Sequence, residues 1–315
     1  MTILLSLACA WSPLAVPDPP RAGDELAVRM AEGAGASFRA TNDTKLVTTL
    51  GDFELALTVH YDQDVELKAL APDADDNLVF EFGFGRIVGE IHVGTFETVA
   101  FDSASPREDY PWYAAPAVLP MLDSAGKTAT AVVSSRGEVL ATEGWEGLFG
   151  EAAPAPSTQG TSSESLVRDA QWYFARLPES DAAAEASWKT VYSVPVFESR
   201  VDFELDCEPL RRSDDRVEWS SSGVVEAADD AAVEEDPPDA EVGVLEALSS
   251  PMQATVRRGS FLGSFTVSRS DGLPVRQALD LSAQLELLGP LGPQPFEMEW
   301  TQRFSIERIE REDGE

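Results

Sequence analysis

Residues 279–287 read Leu279-Asp280-Leu281-Ser282-Ala283-Gln284-Leu285-Glu286-Leu287, an unbroken alternation of apolar and polar side chains. In an extended chain successive side chains point to opposite faces, so this pattern makes one apolar face and one wet face. A helix would scatter the same leucines around its axis. The stretch predicts an antiparallel strand with one side buried.

Three other segments repeat the pattern. Phe53, Leu55, Leu57, Val59 and Tyr61 alternate with Glu54, Ala56, Thr58, His60 and Asp62. Val201, Phe203, Leu205 and Cys207 alternate with Arg200, Asp202, Glu204, Asp206 and Glu208. Phe296, Met298, Trp300, Phe304 and Ile306 share a face on which Gln302 is the one polar residue. Weaker strands are expected over Leu26–Met30, Leu78–Val88, Lys127–Val133, Trp188–Val196, Val217–Val225 and Ser260–Ser268. Clusters of Gly, Pro and Asp mark turns at Pro72–Asn77, Ser134–Gly137, Ser270–Gly272 and Gly289–Pro295.

One helix is expected over residues 161–177. Thr161-x-x-Glu164 forms a capping box, Leu166, Ala170, Tyr173, Phe174 and Leu177 follow at helical spacing, and Pro178 ends the run. A second, weaker helical pattern covers Tyr113–Asp123, where Pro116 and Pro120 count against a long regular helix. The fold class predicted is mainly β: large curved antiparallel sheets from two β-rich halves, with one amphipathic helix packed on an apolar sheet face. The expected organisation is a signal-like or disordered stretch at 1–23, a β-rich half at 24–149 and a linker at 150–163. A helix plus a second β-rich half then covers 164–311. Within that half, Glu226–Glu241 holds eight acidic and no basic residues beside Pro237-Pro238, which predicts a disordered, solvated loop at 226–241.

The 315 residues carry 56 acidic and 23 basic side chains, a formal charge of −33. Residues 1–150 hold 23 acidic and 9 basic residues, and residues 151–315 hold 33 and 14. Both halves repel phosphate backbones, which excludes nucleic acid as a partner class. Lys45, Lys68, Lys127 and Lys189 are the only lysines. An acidic, lysine-poor surface suits a salty solvent, where charge repulsion is screened; a GC-rich genome gives the same bias. No apolar run approaches the roughly 18 residues of a spanning helix.

Ile3–Trp11 is a short apolar run before a proline-rich stretch, and Ala8-Cys9-Ala10 fits the small-residue cleavage pattern of a secretory signal. The first positive charge is Arg21, so the usual basic leader is missing; a start codon upstream would supply it. The run points to export, to the periplasm or cell envelope. Cys9 also has the look of a lipoprotein acceptor, though the preceding run is short for one.

Several local patterns invite a chemical reading, each beside a plainer structural one. Gly83, Gly85 and Gly89 mimic a dinucleotide loop, but β-prone sequence follows where a helix is required. Gly126-Lys127-Thr128 resembles the end of a phosphate loop, yet Met121 stands where its other glycine belongs. Asp73–Asn77 offers calcium-like ligands without the glycine and the final glutamate of such a loop, and an Asp-rich turn explains it. His60, Asp62 and Asp64 project from one strand face and are the candidate metal ligands. Same-side residues lie about 7 Å apart, so sharing one ion would need a bulge. Cys207 sits on an apolar face and reads as a buried hydrophobe. With only His60 and His92 available, a Ser-His-Asp triad has few bases.

Tyr110, Trp112 and Tyr113 form one aromatic group and Trp172, Tyr173 and Phe174 another, suited to core packing or to a sugar or lipid. No cofactor is expected. The function expected is a non-enzymatic cell-envelope or extracytoplasmic structural or binding module, with a lipid or other apolar small molecule, or an envelope protein, as partner. Leu166, Ala170, Tyr173 and Leu177 form the candidate apolar ligand face. A carboxylate-based hydrolase is the alternative.

Overall fold

The computed structural model describes residues 26–51, 53–105, 110–148, 167, 169–178, 186–196, 199–226, 253–288 and 296–309. The signal-like run, the linker, the turn at Gly289–Pro295 and nearly all of the acidic 226–241 segment lie outside the described residues.

The chain is mainly β, as the alternation predicts. The first half supplies β1 (Gly35–Leu50), β2 (Phe53–Ala69), β3 (Leu78–Val93), β4 (Val99–Asp102), β5 (Thr128–Val133) and β6 (Val139–Glu143). The second supplies β7 (Trp188–Val196), β8 (Ser199–Arg212), β9 (Arg216–Glu226), β10 (Gln253–Ser268), β11 (Pro274–Leu288) and β12 (Phe296–Ile309). Every pairing is antiparallel. The order across the sheet is β6-β5-β3-β2-β1-β12-β11-β10-β9-β8-β7, with β4 paired to β3. Each half is thus a meander, the first running outward from the centre and the second inward from the far edge, and the two join where β1 pairs with β12, from Ser37 opposite Ile309 to Thr49 opposite Glu297.

The sheet curls hard. At about 4.8 Å per strand, β3 and β7 would stand about 38 Å apart if it were flat. Yet the short segment 169–178 touches both: Tyr173 meets Phe82 of β3 at 5.4 Å, and Trp172 meets Tyr192 of β7 at 6.3 Å. Strand twist and bulges supply the bend. One bulge lies where the β2–β3 register shifts between Gln63 and Val65, beside Gly85.

The expected helix over 161–177 is shorter than its pattern suggests. Its described residues are helical at 167 and 169–171, and the chain then tightens into turns. Trp172, Tyr173 and Phe174 donate their N–H groups to the carbonyls of Asp169, Ala170 and Gln171, three residues back. The cause is packing: these three consecutive aromatics and Ala175 are all buried, whereas a helix buries one stripe. Asp169 and Arg176 beside them are half-buried.

The regular helix is the weaker candidate, α1 (Ala115–Ser124). Pro116 falls in its first turn, where no N–H partner is needed. Pro120 sits inside, and the helix holds by burying Val118 and Leu122 in a satellite cluster with Ile87, Ile91 and Phe101.

Leu26–Met30, expected as a strand, is an irregular segment across one end of the curled sheet. Val28 N–H donates to Ser135 of the β5–β6 turn and Arg29 N–H to Asp271 of the β10–β11 turn, both at 2.8 Å. Leu26 and Val28 are buried, so the segment plugs the interior and ties the two halves together. No helix among the described residues is long and apolar enough to cross a membrane.

Candidate functional site

The inner face of the sheet is packed with aromatic rings. Phe80, Phe82 and Phe84 of β3 meet Trp145, Tyr173 and Phe174 at centroid distances of 5.2–6.4 Å. Across the sheet, Trp172 and Tyr173 meet Phe304 of β12. Of the candidate apolar ligand face, Ala170, Tyr173 and Leu177 are buried in this packing, and Leu166 lies outside the described residues.

A void of about 80 Å³ lies among these rings, and its lining is partly polar: Asn42, Tyr61, Gln63, Ser124, Asp169 and Gln302 border it. Much of that lining is hydrogen-bonded. Gln302, the polar exception on its strand face, donates from Nε2 to Asn42 Oδ1 at 2.8 Å, and Asn42 donates to Thr44. Gln63 donates to the Ser124 hydroxyl, which donates to the Met121 carbonyl. Burial pushes the Tyr61 phenol up to about 12, with the Asp169 charge adding to the shift. Tyr173 is pushed up further for the same first reason. Both phenols therefore remain neutral hydrogen-bonding groups at physiological pH. The void has room for a few waters.

A far larger cavity lies elsewhere. A cleft of about 1380 Å³ opens at the end of the curled sheet where β1, β9 and β11 begin and β2, β10 and β12 finish. Its basic side chains are Arg29, Lys68, Arg216, Arg269 and Arg308. Glu66, Asp214, Asp215 and Asp271 are its acids, and Leu67, Val275 and Ile309 give it apolar wall. Arg308 Nη1 contacts Asp271 Oδ2 at 2.7 Å, Arg216 Nε lies 3.4 Å from Asp215, and Arg29 donates to the Arg269 carbonyl. A hydrogen bond from the Ser213 hydroxyl holds the Asp215 carboxyl below its ordinary range. The sequence patterns do not point to this cleft, because its residues come from separate strand ends and turns.

The patterns that sequence reading singled out are placed as follows. His60, Asp62 and Asp64 lie along β2, and each faces a different residue of β1 directly across the ladder. His60 Nδ1 is 2.5 Å from Asp43, Thr41 donates to Asp62 at 2.6 Å, and Arg39 pairs with Asp64 at 3.1 Å. They form three separate cross-strand pairs. Among the described residues no group of three or more His, Cys, Asp or Glu is arranged to hold a metal ion.

Gly89 is crowded: a Cβ there would lie 2.2 Å from the His60 carbonyl and 2.6 Å from Phe101, so glycine permits β2, β3 and β4 to meet. Lys127 donates to the carbonyls of Gly147 and Leu148, closing the 3₁₀ turn after β6. Asp73 accepts the N–H groups of Asp75 and Asn77, making the β2–β3 turn. Cys207 is buried and free. Trp172, Tyr173 and Phe174 are core, whereas Phe96, Trp112 and Tyr113 form an outer group. There Phe96 stacks on Tyr113 at 4.4 Å and Trp112 is 77% exposed.

No protein-family model matches the chain, and no curated protein matches it. Among solved structures it is similar to lipovitellin, in a structure concerned with lipid–protein interactions, with a TM-score of 0.47 and 8% identity over 90% of this chain. This chain spans 26% of the lipovitellin chain. A second likeness is to an outer-membrane channel from Pseudomonas putida F1, with a TM-score of 0.25 and 9% identity over 92% of this chain and 99% of that one. Neither likeness assigns a role to any residue.

Proposed function

We propose that the protein is a non-enzymatic binding module of the cell envelope that takes its ligand in the cleft at one end of the curled sheet. The contrast between these two cavities carries this reading. Ligand pockets typically hold about 300–1,000 Å³. The void beside Tyr173 holds about 80 Å³, and the end cleft about 1380 Å³. A lipid lying along Ala170, Tyr173 and Leu177 would have to displace packed rings. The cleft needs no such rearrangement, and its mixed wall suits a polar ligand carrying a small apolar part.

Two of the cleft's four acids are engaged in ways that favour binding over hydrolysis. A general acid must hold its proton near neutral pH, which requires a raised pKa. Asp215 is shifted the opposite way, and Asp271 is engaged by Arg308. The envelope assignment is supported by the signal-like run Ile3–Trp11.

Native mass spectrometry of the purified protein tests the reading, beside a Lys68→Gln/Arg216→Gln variant. Both residues are exposed, so the replacement leaves the core untouched. A co-purifying mass carried by the parent and lost from the variant is expected. A mass retained equally by the variant would place the ligand elsewhere.

A further inference from the structure

In a chain with more than twice as many acids as bases, the end cleft gathers five basic side chains against four acidic ones. Resting on the reading of the cleft as the ligand site, we infer that its ligand is a small polyanion, carrying several carboxylate or phosphate groups and bridging the two halves of the sheet.

Three observations carry this. First, the bases come from both halves: Arg29 and Lys68 from the first, Arg216, Arg269 and Arg308 from the second. A ligand touching both sets is held by both halves of the sheet, which favours an anion with spaced charges over a single ion. Second, four of the five are arginines. The planar guanidinium presents five N–H donors in a fork that fits carboxylate and phosphate oxygens two at a time. Arg308 keeps donors beyond its one short contact: Nη1 meets Asp271, and that pairing sets the direction of the fork. Third, the protein as a whole is strongly acidic, so a local excess of basic side chains stands out. The outer-face arginines Arg39, Arg86 and Arg303 are each paired one-to-one with Asp64, Asp102 and Asp280, within a strongly negative surface. In the cleft the basic side chains outnumber the acidic ones by one, and at about 0.15 M salt the distant charges are screened beyond about 8 Å.

Titration calorimetry at that ionic strength tests the class with three probes: inositol hexakisphosphate, hexagalacturonate and neutral maltohexaose. Binding of at least one anion and none of maltohexaose is expected, and the tighter anion shows whether phosphate or carboxylate is read. The Lys68→Gln/Arg216→Gln variant, first shown to melt like the parent, should bind that anion about tenfold more weakly, the loss of one or two charge-assisted contacts. Arg303→Gln, outside the cleft, should leave binding unchanged. Maltohexaose binding as tightly as the anions, failure of both anions, or equal affinity in parent and double variant would each overturn the inference. A co-purifying mass that the double variant loses would keep the cleft as the ligand site even then, so the anionic class can fail alone.

Discussion

Gln277 of β11 donates from Nε2 to the main-chain carbonyl of Trp172 at 2.8 Å, linking residues 105 apart in sequence. Gln171, next to that tryptophan, reaches the other way: its Nε2 donates to the Gly137 carbonyl at 2.9 Å and its Oε1 accepts Val139 N–H at 3.0 Å. The Tyr192 hydroxyl donates to the Gln171 carbonyl. The filling segment is therefore fixed to both halves of the sheet by buried amide groups, and rings alone would not set its register.

Gln171→Leu should be strongly destabilising. The substitution keeps roughly the same bulk but orphans Val139 N–H and the carbonyls of Gly137 and Phe174, all bonded to this side chain. Each orphaned buried group costs about 1–3 kcal/mol, so a loss of about 3 kcal/mol or more is expected. Urea unfolding of parent and variant measures it, and a loss under about 1 kcal/mol would show that the amide is dispensable.

Phe174→Ala tests the packing directly. The ring is fully buried against Phe80 at 5.3 Å and Phe82 at 5.9 Å. Truncation of such a ring removes about 3–5 kcal/mol. Trp112→Ala, at an exposed site, should change the melting temperature little.

Alkaline pH should weaken the fold through Cys207. Burial raises its thiol from 9.0 to about 12, so the folded state keeps a proton that the unfolded state releases. The stabilisation is full below about pH 9 and is lost as pH climbs toward 12, with a slope of at most about 1.4 kcal/mol per pH unit. Cys207→Ala should start less stable but lose less between pH 8 and pH 10. Equal slopes in parent and variant would show that the thiol does not contribute. The same burial predicts slow labelling of native Cys207 by a disulfide reagent and full labelling in guanidinium.

The strands that alternation revealed are those with one wet and one apolar face, such as β11 and β12. The central strand β1 escaped because its inward positions run Ala36, Phe38, Ala40, Asn42, Thr44 and Leu46, an apolar stripe interrupted by two polar residues. Asn42 is there to meet Gln302, so the same hydrogen bond that hides one strand explains the polar exception on its neighbour. The end cleft was illegible for a different reason. Arg29, Lys68, Arg216, Arg269 and Arg308 have no common spacing, and only the curl of the sheet and the pairing of β1 with β12 bring them together.

That curl is closed off at the cleft end by the 26–30 segment, and Gly272 is the residue that lets it dock. Gly272 has φ +71°, a conformation that a side chain disfavours, and a Cβ there would lie 2.1 Å from the Ala27 carbonyl oxygen. Both obstacles act at once: the β10–β11 turn must change shape and the plug must move. Gly272→Ala should therefore break the hydrogen bond from Arg29 N–H to Asp271 and release Leu26 and Val28 from the core. Hydrogen exchange is the direct measurement, since amides of 26–30 should lose protection while those of β11 and β12 keep theirs. Gly147→Ala is the matched control, because a Cβ there meets nothing within 4 Å. Arg29 lines the cleft, so release of the plug should also weaken anion binding in Gly272→Ala even though Lys68 and Arg216 are intact. Unchanged exchange over 26–30 in the variant would mean that the segment is held by Arg136, whose Nη1 donates to the Leu26 carbonyl at 2.7 Å, and not by the β10–β11 turn.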